Sequence, residues 1–274
     1  MTIKPLLSII IPTKNSGKTL KNCLESISKQ THKSYEVIVV DSFSTDSTVE
    51  IAEGWGAKVL KVAGTQASAR NKGVREAKGE YILFLDSDQI VEENLVEECL
   101  KLCLNEGFQA IKIPEIFFGR SFWASCSALW RNCAAVVEEA IPRIYRRETI
   151  LKAGLLKEDL RLWEDLELYS RIRALGIKET WSKAKISHLE ASSLLSLLIK
   201  ALNYGRSIPV FTKKTVGRPH KYKLKAAIST GVKLMSQPYP PLTVLGCLLL
   251  TCLKGIFIIF GIMYESILSL KLHR

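Results

Sequence analysis

Residues 81–90 read YILFLDSDQI, an apolar run that ends in two carboxylates, Asp86 and Asp88, two positions apart. Strand residues at i and i+2 point to one face, so the two charges would stand together and repel. A hard divalent cation relieves such repulsion. Mg2+ typically takes one or two carboxylates beside substrate phosphates, and Mn2+ suits the same oxygen donors. Asp-Ser-Asp is equally the composition of a strand-end turn. Other acids and one base bear on the choice. Asp41 ends the run YEVIVVD, as a capping acid or as a ligand contact. Arg70, in GTQASARNKG, can pair with a phosphate or stand as a solvated helix charge. Glu164 and Asp165 open WEDLELYSRIRALG, where acids also simply complement a helix N-terminus.

These residues need a frame. LLSIII (6–11), YEVIVVD (35–41), AKVLKVA (57–63) and YILFLD (81–86) read as buried strands. Helical spacing falls between them, over Ser16–Lys29, after the turn SFSTDST, and over Ala67–Ala77. Alternating strands and helices imply an α/β fold, a mostly parallel sheet covered on both faces. Ligands of such sheets bind beyond the carboxyl ends of the strands, where Pro12, Asp41 and Asp86 all fall. Further along, the pattern predicts a helix over 92–106, strands over 109–116, 142–152 and 185–190, and a helix over 163–176. Residues 117–140 read as a helix or a mobile loop. A boundary is expected near residue 190, dividing a 1–190 catalytic domain from a 191–274 basic and apolar helical region.

The charge distribution supports that boundary. The net charge is +12, and residues 191–264 hold ten Lys or Arg with no Asp or Glu. Such a block favours an anionic partner. Immediately downstream, LTVLGCLLLTCLKGIFIIFGIMY (242–264) has the length of a transmembrane helix. Lys254 near its centre and Gly246, Gly255 and Gly261 fit equally a pair of short helices in one leaflet, and a buried helix pair is a third possibility. No nucleic-acid motif accompanies the basic block, so a membrane surface is the expected partner rather than a nucleic acid. Seven cysteines without C-x-x-C spacing, and four scattered histidines, give neither a zinc framework nor a disulfide scaffold, which points to a reducing compartment. The short run Leu6–Ile11, stopped by Pro12, reads as a first strand and not as a leader.

The succession LSIIIPTKN, VIVVDSFSTDST, ASARNKGVREAKGEYILFLDSD and PRIYRRETILKAGLLKEDLRLWEDLELYSRIRALG resembles the family 2 glycosyltransferases of the GT-A fold, over roughly residues 6–190. The resemblance implies a nucleotide-diphosphate sugar donor and Mg2+ or Mn2+. It implies that Pro12, Thr13 and Asn15 line the nucleotide site, that Asp41 hydrogen-bonds the base, and that Arg70 lies near base and phosphates. Asp86 and Asp88 match the Asp-x-Asp metal motif, with Asp88 as direct ligand. Asp165 matches the general base of the Glu-Asp pair, beside Glu164. His188 falls where some relatives carry a histidine near the metal, and otherwise reads as a structural histidine. The common Asp-Asp-Gly-Ser turn is here Asp41-Ser42-Phe43-Ser44, which leaves the nucleotide open.

The implied reaction is an inverting transfer at the cytoplasmic face of the cell membrane, to a lipid-linked or glycan acceptor. NYGRS (203–207) and the segments after it resemble the tail of membrane-associated members. Arg143, Arg146 and Arg147 are solvated charges or contacts to an anionic acceptor. Two competing readings are a sugar-phosphate nucleotidyltransferase and a non-catalytic membrane-tethered binding module. The first would carry a glycine-rich basic phosphate loop, which PTKNSGKT is not. Intact acids at 86, 88 and 165 argue against the second.

Overall fold

A computed structural model describes residues 5–134, 140–160, 162–191, 193–214, 229–236 and 238–271. The chain divides into two compact units, Met1–Glu115 with Ile141–His188, and Ile116–Ala140 with Leu189–Arg274.

In the first unit the elements alternate as β1 (Leu7–Thr13), α1 (Gly17–Ser28), β2 (Tyr35–Asp41), α2 (Thr48–Gly54), β3 (Lys58–Lys61), α3 (Gln66–Glu76) and β4 (Tyr81–Phe84). Then come β5 (Gln89–Val91), α4 (Leu95–Glu106), β6 (Ala110–Lys112) and β7 (Glu115–Phe118), where the chain leaves the unit. After α5 (Phe122–Ala134) it returns with β8 (Ile144–Arg146), α6 (Arg147–Lys152), α7 (Glu164–Ala174), β9 (Glu179–Trp181) and β10 (Ile186–Leu189). Seven strands form one sheet in the order β3-β2-β1-β4-β8-β6-β9. Its neighbours are parallel except β8, which runs antiparallel to both β4 and β6.

Strand alternation sorts the core onto two faces. Ile9, Ile11, Val39 and Leu83 pack with Leu20, Leu24 and Ile27 of α1 and with α4. Ile10, Ile38, Val40, Ile82 and Phe84 pack with Val74 of α3 and with Leu168, Tyr169 and Ile172 of α7. Each such side chain contributes about 1.5–3 kcal/mol when fully buried. Gly73 lets α3 approach the sheet closely, because a Cβ there would lie 2.5 Å from Ile10 Cγ2. That approach places Arg70, one turn earlier, at the end of β4.

Three elements depart from the sequence pattern. The strand expected over 142–152 is a three-residue strand followed by α6. Beyond Arg146 there is no further β4 partner, since Tyr81 pairs with Arg146. The segment then closes as a helix with Glu148 in its first turn and Lys152 in its last, as the helix dipole favours. The strand expected over 109–116 is interrupted, and Pro114, which lacks an N–H, separates β6 from β7. The strand expected over 81–86 ends at Phe84.

The second unit is helical. It contains α5, α8 (Leu194–Lys214), helical residues 229–236, and α9 (Pro241–Lys271). Cys126, Leu129, Cys133, Leu197, Leu234, Cys247 and Leu250 form its core. The segment 242–264 is thus one unbroken helix and not a pair. Its Pro241–Leu268 portion is long and apolar enough to cross a membrane by length and composition. The basic run from Lys213 to Lys225 lies largely outside the described residues, as do 135–139 of the 117–140 stretch. All seven cysteines are free thiols, and Cys252 alone is exposed.

Candidate active site

The first-strand loop and the end of β2 lock onto each other. Thr13 and Asp41 are register partners, and Thr13 Oγ1 donates to Asp41 Oδ1 at 3.0 Å. Asp41 is fully buried, and it also accepts from the Ser44 N–H at 2.8 Å and the Ser44 hydroxyl at 2.5 Å. Asn15 joins the same loop: its N–H donates to Ser44 Oγ and its Oδ1 accepts from the Thr45 N–H. Phe43 takes the place of the family turn's glycine, yet keeps a left-handed backbone at φ 56° with its side chain exposed. That geometry costs a non-glycine residue roughly 1–2 kcal/mol. The loop therefore keeps its turn at some expense, offset by the Asp41–Ser44 bonds.

Ser16, at the end of this loop, receives a hydrogen bond from Ser87 Oγ at 3.0 Å, which ties it to the Asp86–Asp88 segment. Because β4 has already ended, that segment is a turn: the Asp86 N–H donates to Gln89 Oε1, and the Gln89 N–H to Asp86 O. The premise of two carboxylates on one strand face therefore fails. The two acids take different partners.

Asp86 is held by cations. Arg70 Nη2 lies 2.9 Å from its Oδ1 and Arg143 Nη1 lies 3.5 Å from its Oδ2. Gln66 Nε2 donates to Oδ1 at 2.9 Å. Burial alone would raise this carboxyl, but Arg70, Arg143 and His188 outweigh it and hold it well below the ordinary range. Buried Arg70 extends the chain to Glu164, with Nη1 at 3.1 Å from Oε1. Burial pushes the Glu164 carboxyl up against the pull of Arg70, and Asp165 adds to the rise.

Asp88 is the partly open acid, and its Oδ1 lies 3.4 Å from Nε2 of buried His188. The other ring nitrogen, Nδ1, lies 3.1 Å from Glu115 Oε2 and 3.2 Å from Gln89 Nε2. Glu115 in turn binds Arg143 at 2.6 Å. Burial opposes ionisation of Glu115, yet Arg143 and His188 bring its pKa down to about 2. Glu115 accepts from Nδ1 when that nitrogen carries the proton, whereas the Gln89 amide donates toward it in the other tautomer, so one of the two contacts holds at a time. Carboxylate-oriented histidines are the usual metal-ligating form. Among the described residues no three His, Cys, Asp or Glu side chains gather into a ready-made metal cage. Asp88 and His188 supply one oxygen and one nitrogen donor, which can hold Mg2+ or Mn2+ only together with waters and substrate phosphates.

Asp165 follows Glu164 in the first turn of α7, where its Oδ1 accepts from the Leu166 N–H at 2.8 Å. Its charge acts on Arg143. Trp163 precedes the pair in a left-handed conformation, φ 61°, which turns the chain into the helix. The structure thus gathers Arg70, Asp86, Asp88, Glu164 and His188 in one polar network, and Thr13, Asn15 and Asp41 in an adjoining one. Pro12 lies within β1, paired with Val40. Glu115, Gln66 and Gln89 carry no local sequence signal. Arg143 is not a solvated charge; it is the bridge between Asp86 and Glu115. Arg146 pairs with Glu80 at the surface, and Arg147 donates to the carbonyls of Val74 and Arg75.

Replacing Arg143 by Met is expected to lower stability by about 3–5 kcal/mol, because it leaves Asp86 and Glu115 undercompensated. The urea midpoint measures this, and an unchanged midpoint would show that the bridge is not stabilising.

The sequence model of a family described as "Glycosyl transferase family 2" matches residues 8–148. The glycosyltransferase GlyG of Streptococcus pneumoniae is 42% identical over 99 residues, 34% of this chain and 33% of that protein. The uncharacterized glycosyltransferase YibD of Escherichia coli is 27% identical over 234 residues, 73% of this chain and 67% of that one. The chain thus spans about a third of the length of GlyG and two thirds of YibD. Among solved structures, Staphylococcus aureus TarS 1–349 in complex with UDP-GlcNAc superposes with a TM-score of 0.57 at 18% identity, covering 92% of this chain and 71% of that one. The mannosyltransferase PcManGT of Pyrobaculum calidifontis, in complex with GDP-Man and Mn2+, gives 0.59 at 17% identity, covering 97% and 88%. Both share the mixed α/β fold with a mostly parallel central sheet.

Proposed function

This chain belongs to the family 2 glycosyltransferases, and from that premise we propose that it moves a sugar, with inversion, from a nucleotide-diphosphate donor to a lipid-linked or glycan acceptor at the cytoplasmic face of the cell membrane. Residues 1–190 are the catalytic domain in this reading, and 191–274 associate with the membrane. The observation that carries it is the continuous charged network Glu164–Arg70–Asp86–Arg143–Glu115–His188–Asp88, built at the carboxyl end of β4 beside the Asp41 loop.

The geometry supports the following roles. The end of β1 at Pro12 and Thr13, Asn15, and the turn held by buried Asp41 receive the nucleotide. Arg70 and Asp86 form the fixed wall on the donor side. Asp88 and His188 are the residues that would hold Mg2+ or Mn2+; Asp86, whose two oxygens already face arginines, supports them from behind. When bound, the cation neutralises charge developing on the leaving diphosphate. Asp165 takes the proton of the acceptor hydroxyl as its oxygen bonds to the anomeric carbon, opposite the breaking bond to diphosphate. One displacement needs no covalent enzyme intermediate.

A thermal-shift screen of UDP-, GDP-, dTDP- and CDP-sugars with Mn2+ tests the donor. One nucleotide class is expected to stabilise the protein, by about 2.7 kcal/mol at a hundredfold excess over Kd. If no class stabilises it and none is consumed, the donor reading fails.

A further inference from the structure

Helix α9 is amphipathic in the reverse sense of a surface helix. Its charged residues Lys254 and Glu265 face protein. Lys254 Nζ donates to Ser127 Oγ at 2.8 Å, Ser127 Oγ donates to Glu190 Oε2 at 2.9 Å, and Glu190 Oε1 meets Arg131 Nη1 at 2.7 Å. Glu265 pairs with Arg206 of α8 at 3.2 Å. Two of its three glycines also turn inward, whereas a Cβ on Gly255 would meet nothing within 4 Å. A Cβ on Gly246 would lie 2.5 Å from Phe122 Cζ, and one on Gly261 would lie 2.2 Å from Leu202 O. The outward face is a continuous stripe of Leu245, Leu249, Ile256, Phe260, Met263 and Ile267, each about half exposed or more, with Cys252 among them. A surface helix in water would show the opposite arrangement. The stripe extends for roughly 33 Å at 1.5 Å per residue.

That length also suits a membrane crossing. What decides against one is the other side of the helix. α5 packs along its first half, and α8 along its second, where Gly205 abuts Ile258 O. On α8, exposed Lys200 and Asn203 lie within two turns of Gly205. A crossing would carry Lys200 into hydrocarbon at about 2.5–3.5 kcal/mol, together with Asn203 and the Arg206–Glu265 pair. With α9 lying flat, the stripe can be immersed without carrying α8 across the hydrocarbon. The charge of the sequence suits the same surface: ten Lys or Arg and no acid in 191–264, six of them between 213 and 225. Each such charge near an anionic leaflet adds about 1 kcal/mol.

We propose that α9 is an in-plane membrane helix, with its Leu245–Ile267 stripe seated in the acyl boundary of one anionic leaflet and its polar face closed by α5 and α8. The proposal deepens the membrane partnership stated above and rests on it.

Cys252 allows the full-length protein to be tested with little engineering, since the other six thiols are buried. An environment-sensitive fluorophore is placed on Cys252, and on Leu245→Cys and Ile267→Cys in a Cys252→Ser background. Vesicles of phosphatidylcholine and phosphatidylglycerol carry quenchers at shallow or deep acyl positions. All three labels are expected to shift to the blue on vesicle addition and to be quenched alike, most strongly by the shallow quencher. Ile256→Asp is expected to weaken vesicle partitioning about tenfold or more, with the donor-induced thermal shift unchanged. Deep quenching at 252 with shallow quenching at 245 and 267 would establish a crossing and overturn the in-plane helix alone. No vesicle binding by the unlabelled protein would remove the membrane partnership itself. A blue shift already present without vesicles, with sedimentation as a dimer, would assign the stripe to a second copy of the chain and overturn the proposal.

Discussion

Asp88→Ala is expected to lower metal-dependent sugar transfer by at least about 10²-fold, the scale on which even residues that only orient metal ligands act. Asp88 is the acid of the turn whose carboxylate is partly open, and its near partner, His188 Nε2, lies 3.4 Å away. His188 itself stays anchored by Glu115 through Nδ1, so the substitution removes the proposed ligand without releasing the ring. The folded state should therefore survive, with an unfolding midpoint close to that of the native protein. Titration of Mn2+ into the donor-loaded protein gives a readout independent of turnover, and the variant should lose the Mn2+ dependence of donor binding. Asp86→Ala is the contrasting case. It strips Arg70 and Arg143 of their shared carboxylate, so its loss of activity should come with a loss of stability. Native transfer rates in Asp88→Ala would remove Asp88 from the metal site.

Much of this was legible from one feature, the β-branched runs that end in an acid. VIVVD and YILF read as buried strands from their length and β-branched or aromatic content, and parallel alternation brings their ends to one edge. Asp41 and Asp86 follow from that logic. Strand periodicity does not reach Asp86, because Asp86 and Gln89 close a turn by exchanging side-chain and backbone bonds, and a turn obeys no period of two. Glu115 and Arg143 were out of reach for a different reason. They are 28 positions apart in sequence, and their pairing depends on β8 entering the sheet antiparallel between β4 and β6. No local pattern states the direction of an inserted strand. An arginine in IPRIYRRE looks like any surface charge until its neighbours are known. The three glycines of α9 misled in the opposite direction. Read alone they weaken a helix, whereas Gly246 and Gly261 allow close contact with other helices of their unit, so tertiary packing overrides their propensity.

Asp165→Asn should separate binding from chemistry. Asparagine keeps the size of the side chain and the oxygen that accepts the Leu166 N–H, so the first turn of α7 need not change. It removes the one property a base needs, a site for the acceptor's proton. Donor affinity is expected to stay within about twofold of native, while kcat for a hydroxyl acceptor falls about 10²–10⁴-fold, the usual contribution of a positioned base. Glu164→Gln is the necessary comparison. Glu164 is buried against Arg70, and its loss should appear first in stability and donor binding. The size of the Asp165→Asn effect also reports on the acceptor. A phosphate acceptor arrives already ionised and has no proton to give up, so the variant would then retain most of its rate. A large kcat loss with donor binding intact therefore identifies a hydroxyl nucleophile. Loss of donor affinity in parallel with rate would instead make Asp165 a structural partner of Arg143, and the transfer mechanism would need another base.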